Sequence, residues 1–457
     1  MKRNRSPWLH QLDATRPIVR LTQDTDTDVA VVGAGIAGVA SAFFALKYTD
    51  ARVVILEKFR LAHGATGHNA GQVVSYFERG FASIAQEFGP VLAAEGQRAI
   101  DDAWLLIDEM YTDAGLDIPF SRFRGHAGFA SSEQVLWHLE NNASKRAAGL
   151  PVNTMQIAEG AAVLGEMPAR YEGLYEVVPP AQVRELLETA SPRYIAALST
   201  QKGCVNSALF CQEVVAFLLR AYPDRFALYE EAPVRKIILR DGQATLDVDT
   251  HVVSAHRVVV CTNGFEHLHI INETGLDIDA KYHHLVSGKV GYMSGYLEAM
   301  NKQPIAISYY KDAATGMDNS YYYLTRRPFE YEEGSRHNLI SIGGPDMDID
   351  ERTPYSHEDE YPEGKTDEID AFLRDTYDLD PNKRVEFVFT WHGLMGYTTH
   401  GLRLIGPEPQ NPTLLYNLGC NGVGILPSLY GARTVARHIA GEQVPPSIFD
   451  VPRKVRE

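Results

Sequence analysis

The stretch Asp28–Glu57, DVAVVGAGIAGVASAFFALKYTDARVVILE, decides how this chain is read. An apolar run, DVAVV, has the look of a strand and leads straight into Gly33-Ala34-Gly35-Ile36-Ala37-Gly38; a helical segment follows, then a second strand, VVIL, closing on Glu57. Gly33 allows the tight turn, Gly35 lets backbone N–H groups approach a pyrophosphate, and Gly38 lets the helix pack closely on the strand. A pyrophosphate placed there rests on the positive end of the helix. Glu57 can accept both ribose hydroxyls of an adenosine and repels a 2′-phosphate, so FAD or NAD is expected rather than NADP. A bare G-x-G-x-x-G is weak evidence, but here a strand precedes it, a helix follows and an acid ends the unit.

The remaining composition sets bounds on this reading. At 457 residues the chain exceeds one simple core and points to two domains, or two interleaved ones. A formal charge of −16 argues against nucleic acid or an anionic membrane as partner, since either needs a basic surface. The opening MKRNRSPWLHQLDATRP is basic but leads into no apolar signal region, and no run of about 18 apolar residues occurs. A cytoplasmic protein without a membrane span is therefore expected. Cys204, Cys211, Cys261 and Cys420 form no C-x-x-C pair and are too few for a disulfide framework, so reduced thiols are expected.

Beyond Glu57 lies Gly64-Ala65-Thr66-Gly67-His68-Asn69-Ala70-Gly71-Gln72, too rich in small residues for a helix interior and suited to hugging a ligand. The pattern then predicts helices over 81–115, strand pieces over 118–131 and a helix over 133–149. An amphipathic helix after Asn206 precedes a β-rich block whose Asp241-Gly242 marks a hairpin. A second β-rich block, 282–344, contains Tyr321-Tyr322-Tyr323, and 346–367 reads as an acidic, mobile stretch. The chain closes with GCNGVGILPS and a helix expected to start near Pro427. No internal repeat is visible.

Four pieces, taken together and in order, resemble the FAD-dependent oxidoreductases of the D-amino-acid oxidase type, a group that includes glycine and sarcosine oxidases and γ-glutamylputrescine oxidase. They are the GAGIAG cradle with Glu57; the Gly64–Gln72 loop, like that family's loop beside the flavin ring; Arg257–Gly264, RVVVCTNG, like its strand returning to the cofactor; and Trp391-His392-Gly393 with Gly419-Cys-Asn-Gly-Val-Gly424 and Pro427, like its C-terminal flavin loop. The resemblance implies FAD and an α/β architecture: a Rossmann-like FAD-binding domain interleaved with an α+β substrate domain on a mostly antiparallel sheet. The expected division is 1–80, 196–265 and 391–457 for the FAD-binding domain, and 81–195 and 266–390 for the substrate domain. The implied cofactor residues are Gly33, Gly35, Ile36, Ala37, Gly38, Glu57 and Lys58; Ala65 through Gln72; Val234; Thr262, Asn263 and Gly264; and Trp391, Gly393, Asn421, Gly422, Val423 and Gly424. The dipole of the last helix and the N–H groups of Gly422–Gly424 are expected near the flavin N1/C2=O edge, where a positive feature stabilises the reduced ring.

The substrate end is read from single residues. His68 stands where many members of the family resemble GASGRNGGQ with arginine, while dimethylglycine and sarcosine dehydrogenases resemble TTWHAAG with a histidine joined covalently to the flavin. FAD is expected non-covalently, with a covalent link at His68 as the alternative, since neutral imidazole is a nucleophile. Where glycine and D-amino-acid oxidases resemble WAGLRPGT, whose arginine clamps the substrate carboxylate, this chain reads Trp391-His-Gly-Leu-Met395-Gly-Tyr397-Thr. Methionine takes the arginine's place, so either Arg326 or Arg327 rebuilds the clamp or the substrate is an amine. Tyr323 and Tyr397 are candidate pocket residues, since a tyrosine-lined strand face holds a cation by cation–π contact; half-buried sheet aromatics are the plainer reading of each tyrosine.

No metal is expected. His267/His269 and His283/His284 lack further ligands in sequence, and the calcium-like Asp346–Asp350 run has Glu351 where glycine is required and His357 where a bidentate Glu belongs. The leading expectation is oxidation of a C–N bond by hydride transfer to flavin N5 followed by imine hydrolysis, with oxygen or an electron carrier as acceptor. A γ-glutamylputrescine oxidase-like amine is favoured. The alternatives are a D-amino-acid or N-methylamino-acid oxidase or dehydrogenase, and a non-catalytic structural or redox-sensing flavoprotein.

Overall fold

The computed structural model describes residues 4–264, 268–311, 320–349, 355–377, 379–380 and 383–453, which build two large sheets around a shared cavity. In the first sheet, Phe226–Tyr229, Val53–Leu56, Thr25–Val32, His251–Val260 and Asn411–Leu418 run parallel to one another. Val29 and Val31 point into a core with the helices Ile36–Tyr48, Ser207–Ala221 and Ile425–Ile439, whereas Ala30 and Val32 point into a second core on the other face. With both faces covered, alternation with polar residues has no place, which explains the uniformly apolar DVAVV. The hairpin at Asp241-Gly242 joins Val234–Arg240 to Gln243–Val248, with Gly242 at φ +68°.

The second sheet runs in the order Phe389–Thr398, Val286–Glu298, Ser335–Ile349, Tyr321–Glu332, Ile305–Tyr310, Phe120–Phe129, Ala196–Val205, Met155–Ala158 and Tyr175–Val178, and Gln72–Val73 adds to Ala196–Val205. All its pairings are antiparallel except those of Ile305–Tyr310 with Phe120–Phe129 and of Met155–Ala158 with Tyr175–Val178. The helix Ser132–Ala147 carries a full capping box, Ser131 with Gln134, and Asn206 caps Ser207–Ala221 through two backbone N–H groups. Among the described residues no helix is long and apolar enough to cross a membrane. All four cysteines are free thiols.

Several expected borders move. Ala196–Val205 and the strand from Trp391 to Thr398, assigned to the cofactor domain, pair within the second sheet; His269–Asn272, assigned to the substrate domain, extends the first. Helices Phe81–Phe88 and Pro90–Ala114, also assigned to the substrate domain, bury Ile84, Ile100 and Ile107 in the core beneath the first sheet. The reason is physical: side chains facing a ligand mark a strand in the sequence, whereas sheet membership is set by backbone pairing that carries no residue signature. The last helix starts at Ile425, two positions ahead of Pro427, so the proline occupies its first turn, where a missing N–H costs nothing. In the acidic stretch, Asp346–Ile349 completes a strand and Glu363–Tyr377 is helical, while Asp350 and Glu351 lie outside the described residues.

Candidate active site

The Gly33–Gly38 turn is made by close backbone contact. Gly33 adopts φ +104° and donates to the Leu56 carbonyl at 2.8 Å, tying the two strands at their ends. A Cβ on Gly38 would fall 1.9 Å from the Gly33 carbonyl oxygen, so no larger residue fits there. Glu57 is held in place by accepting from the backbone N–H groups of Ala34 (2.8 Å) and Phe59 (2.9 Å). Thr66 reaches back from the next loop, its hydroxyl accepting from Ile36 N–H at 2.9 Å. Gly33, Gly35, Ile36, Ala37, Glu57 and Lys58 line a cavity of about 1110 Å3, as does Val234. Single-ligand pockets run to roughly 1,000 Å3, so this one has room for a dinucleotide.

The same cavity continues along Ala65, Thr66, His68, Asn69, Ala70, Gly71 and Gln72, past Thr262, Asn263, Gly264 and Gly393, to Gly422, Val423 and Gly424. Asn69 braces the loop: its side-chain amide donates to Thr66 O (3.0 Å) and Ser207 Oγ (2.8 Å), and its carboxamide oxygen accepts from Gly71 N–H (2.7 Å). The Asn69 carbonyl accepts from two indoles, Trp8 Nε1 at 2.5 Å and Trp391 Nε1 at 3.2 Å. Ser6 donates to Gly67 O, also at 2.5 Å. Ser6 and Trp8, in an N-terminal stretch that the sequence left without a role, thus form a wedge beneath the loop. Asn263, at φ +64°, donates to Leu394 O and accepts from Cys420 N–H, joining the returning strand to the C-terminal loop.

Four of the expected cofactor residues do not line the cavity. Gly38 serves helix packing, Gly67 abuts Leu9 and the Ala62 carbonyl, Trp391 is buried behind Asn69, and Asn421 accepts from Thr398 N–H at 2.8 Å. His68 does line it. A carbonyl only accepts, so Nδ1, 3.0 Å from Gly64 O, carries the proton and Nε2 keeps its lone pair. Burial pulls its pKa down to about 4, leaving a neutral imidazole near pH 7.

At the far end the wall is made of tyrosines. Strand period places Tyr321 and Tyr323 on the cavity side of Tyr321–Glu332. Tyr323 lies over Gly343, where a Cβ would be 2.3 Å from its Cζ. Met395 and Tyr397 face the cavity from Phe389–Thr398, and the absence of a side chain at Gly291 leaves space for the Met395 methyl beside the Tyr323 hydroxyl. Between them sits a residue that no motif marked, Glu78, which accepts from Tyr321 Oη at 2.5 Å. Burial raises its carboxyl pKa, and nearby Lys202 opposes that shift.

Neither arginine proposed as a replacement clamp reaches this wall. Arg326 falls on the opposite strand face, where Nη1 and Nη2 grip Glu188 at 2.6 and 2.7 Å and Nε donates to Gln303 O. Arg327 shares the face of Tyr323 but lies further along it, over the Trp8 ring at 4.3 Å. Of the arginines, Arg235 and Arg403 line the cavity among the described residues. Arg403, also unmarked in sequence, donates to Asn417 Oδ1 and O and to Gly419 O beneath the C-terminal loop, and so places a buried cation on the cofactor side. Elsewhere, His269, Asp279 and His283 bring ligand atoms within 4.8 Å of one another at the surface, where Asp279 also accepts from Ile270 N–H; His267 lies outside the described residues.

Comparison with known proteins agrees with this geometry. Glycine oxidase from Geobacillus kaustophilus superposes with a TM-score of 0.66 over 94% of this chain and 100% of its own, at 17% identity. L-proline dehydrogenase from P. horikoshii gives 0.64 over 93% and 95%, at 15% identity. In sequence, a probable oxidoreductase, OrdL, from Haemophilus influenzae is 21% identical over 70% of this chain and 68% of its own length. Gamma-glutamylputrescine oxidoreductase from Escherichia coli is 37% identical over a shorter stretch, 16% of this chain and 17% of its own. The family model described as FAD dependent oxidoreductase matches residues 28–438. A glycine cradle closed to any Cβ, a cavity long enough to join it to the C-terminal loop and a match across most of the sequence lead to one conclusion: the chain belongs to the FAD-dependent oxidoreductase family of the D-amino-acid oxidase type.

Proposed function

We propose that the protein oxidises the C–N bond of an amine, with a γ-glutamylputrescine-like primary amine favoured over a free amino acid. The observation that carries this reading is the charge of the substrate wall. An amino acid needs a guanidinium for its carboxylate, and the position expected to supply one holds Met395. Arg326 is spent on Glu188 and Arg327 lies against Trp8, which removes support from the amino-acid alternative. In their place the wall offers two carboxylates, Glu78 and Asp346, among tyrosines; the cation beside them, Lys289, is already paired with Asp346 and Asp348, which leaves Glu78 to attract an ammonium and repel a carboxylate.

FAD, when bound, supplies a two-electron acceptor for the substrate's α-C–H hydride. The protein's own part is positional. The Gly33–Gly38 turn and Glu57 would hold the adenosine diphosphate portion, and the loop 64–72 with Gly422–Gly424 would hold the ring. Tyr321, Tyr323 and Tyr397 orient the amine and exclude bulk water, so that its α-carbon meets the ring in a reactive pose. The iminium product is then hydrolysed by water to an aldehyde and ammonium. The test is anaerobic mixing of the holoenzyme with matched amines and amino acids, following the flavin band. Bleaching by carboxylate-free amines faster than by their amino-acid analogues is the expected result. Faster bleaching by the amino acids overturns the reading.

A further inference from the structure

Glu78 belongs to a chain of polar groups that runs from the cavity into the second sheet. Its carboxylate accepts from Tyr321 Oη at 2.5 Å. The Tyr76 hydroxyl is a near neighbour of both Tyr321 and Ser308 and is electrostatically coupled to them. Ser308 Oγ in turn accepts from Lys202 Nζ at 3.2 Å. Lys202 is only 2% exposed, and no carboxylate pairs with it among the described residues. The fold makes deliberate room for it: a Cβ on Gly125, on the neighbouring strand, would fall 2.5 Å from Lys202 Cδ.

Burying an ammonium without a partner is costly, and burying a carboxylate beside a ring of phenols is costly too. Their common location offsets part of that cost, because each charge stabilises the other through the hydroxyls between them. The titratable groups facing Glu78 come from every element around it: Tyr76 from its own segment, Tyr310 and Tyr321 from adjoining strands, Tyr323 beyond them, Tyr397 from the last strand and Lys202 from behind. Of these, Lys202 alone is a cation. Its pKa is lowered to about 8 by burial, with Glu78 pulling it back up.

Resting on the amine reading above, we propose that Glu78 accepts the proton of the incoming substrate ammonium and that Lys202, acting through the hydroxyl chain, is a positioning residue that keeps Glu78 ionised until substrate arrives. The step balances simply. One N–H bond of R–CH2–NH3+ breaks, one O–H bond forms on Glu78, and no electrons change hands; R–CH2–NH2 then has the free lone pair needed for loss of the α-hydride. In water such a transfer is strongly uphill. In a closed pocket, desolvation lowers the ammonium's pKa and raises the carboxylate's, so the two converge. The free enzyme therefore holds a net-neutral Glu78–Lys202 couple, and the bound state holds neutral amine, neutral acid and one lysine charge.

The test compares Glu78→Gln, Glu78→Asp and Lys202→Met holoenzymes with wild type, using n-butylamine as probe. In wild type, anaerobic flavin reduction should rise with pH as Glu78 ionises. Glu78→Gln should abolish this acid limb and slow reduction by about 10²- to 10⁴-fold, while Glu78→Asp should retain the limb. Lys202→Met should move the limb to higher pH by about one unit or more. Infrared difference spectra on n-butylamine binding should show a protonated carboxyl band that is lost in Glu78→Gln. An unchanged acid limb in Glu78→Gln, with wild type still bleached by amines, overturns the inference alone. A wild-type flavin bleached by amino acids and by no amine overturns the functional reading with it.

Discussion

The two ends of the cavity are built in opposite ways. The end proposed to hold the nucleotide is made mainly from one continuous segment, Asp28–Glu57, and its fit depends on what is missing, the side chains of Gly33 and Gly38. The substrate end is made from side chains on widely separated elements, Tyr76 and Glu78 after a two-residue strand, Tyr321 and Tyr323 in a long one, Met395 and Tyr397 near the C-terminus. Backbone geometry tolerates little variation, whereas a side-chain wall can be exchanged one residue at a time. The cradle therefore reports the cofactor and the wall reports the substrate, and the first is far easier to read.

This contrast can be broken at either end. The largest effect is expected from Gly38→Val, whose Cβ meets the Gly33 carbonyl: destabilisation of about 3 kcal/mol or more, and purified protein without its flavin absorbance. Retention of a full flavin complement would show that the cradle is less dependent on empty space than its contacts indicate. Acid comes next and should strike the substrate side. Burial lowers His126, on a strand of the second sheet, to about 4, His138, on the helix Ser132–Ala147, to about 3, and His68 to about 4 at the junction. Each binds its proton more readily unfolded, so stability is intact above about pH 6.5 and falls below it, by about 2 kcal/mol per group near pH 5. Melting temperature against pH, with His138→Phe flattening the slope, measures this.

Arg326→Met sharpens the distinction between wall and scaffold. Loss of the Glu188 pair should cost about 2 kcal/mol in denaturant unfolding, yet leave KM for an amine within about twofold, because the guanidinium faces away from the cavity. A large rise in KM would return Arg326 to the site. The smallest effect is expected from Met395→Arg, which should shift the ratio of amine to amino-acid kcat/KM by about tenfold toward the acid. No shift would mean that the substrate's second group lies elsewhere.

What the sequence disclosed follows the same division. The strand, turn and helix of the cradle are contiguous, and each glycine there has a steric reason, so a dinucleotide site was legible from Gly33, Gly38 and Glu57, while FAD rather than NAD came only from the resemblance that adds the later pieces. The loop 64–72 was legible through its run of small residues. Glu78 was not, because a single acid in SYFERG carries no spacing, and only folding puts it against Tyr321 and behind Gly422. Lys202 was hidden for the same reason: a lysine alternating with threonine, glutamine and glycine along STQKGCV reads as solvated, and its burial depends on Gly125 in another strand. Arg326 was misplaced by a shift of one position in strand parity, which separates a cavity face from a scaffold face.

The wedge formed by Ser6 and Trp8 also bears on how the molecule assembles in time. Arg5 bridges to Thr390, and Asn4 bonds to His392, so the first described residues pair with a strand close to the end of the chain. Contacts between such distant segments form late, after loop closure over the whole intervening length has been overcome. The loop proposed to cup the ring is braced by that same wedge. The order of the Gly64–Gln72 loop therefore depends on a contact between segments nearly four hundred positions apart, so this loop is expected to set later than the locally built turn and helix at Gly33–Tyr48.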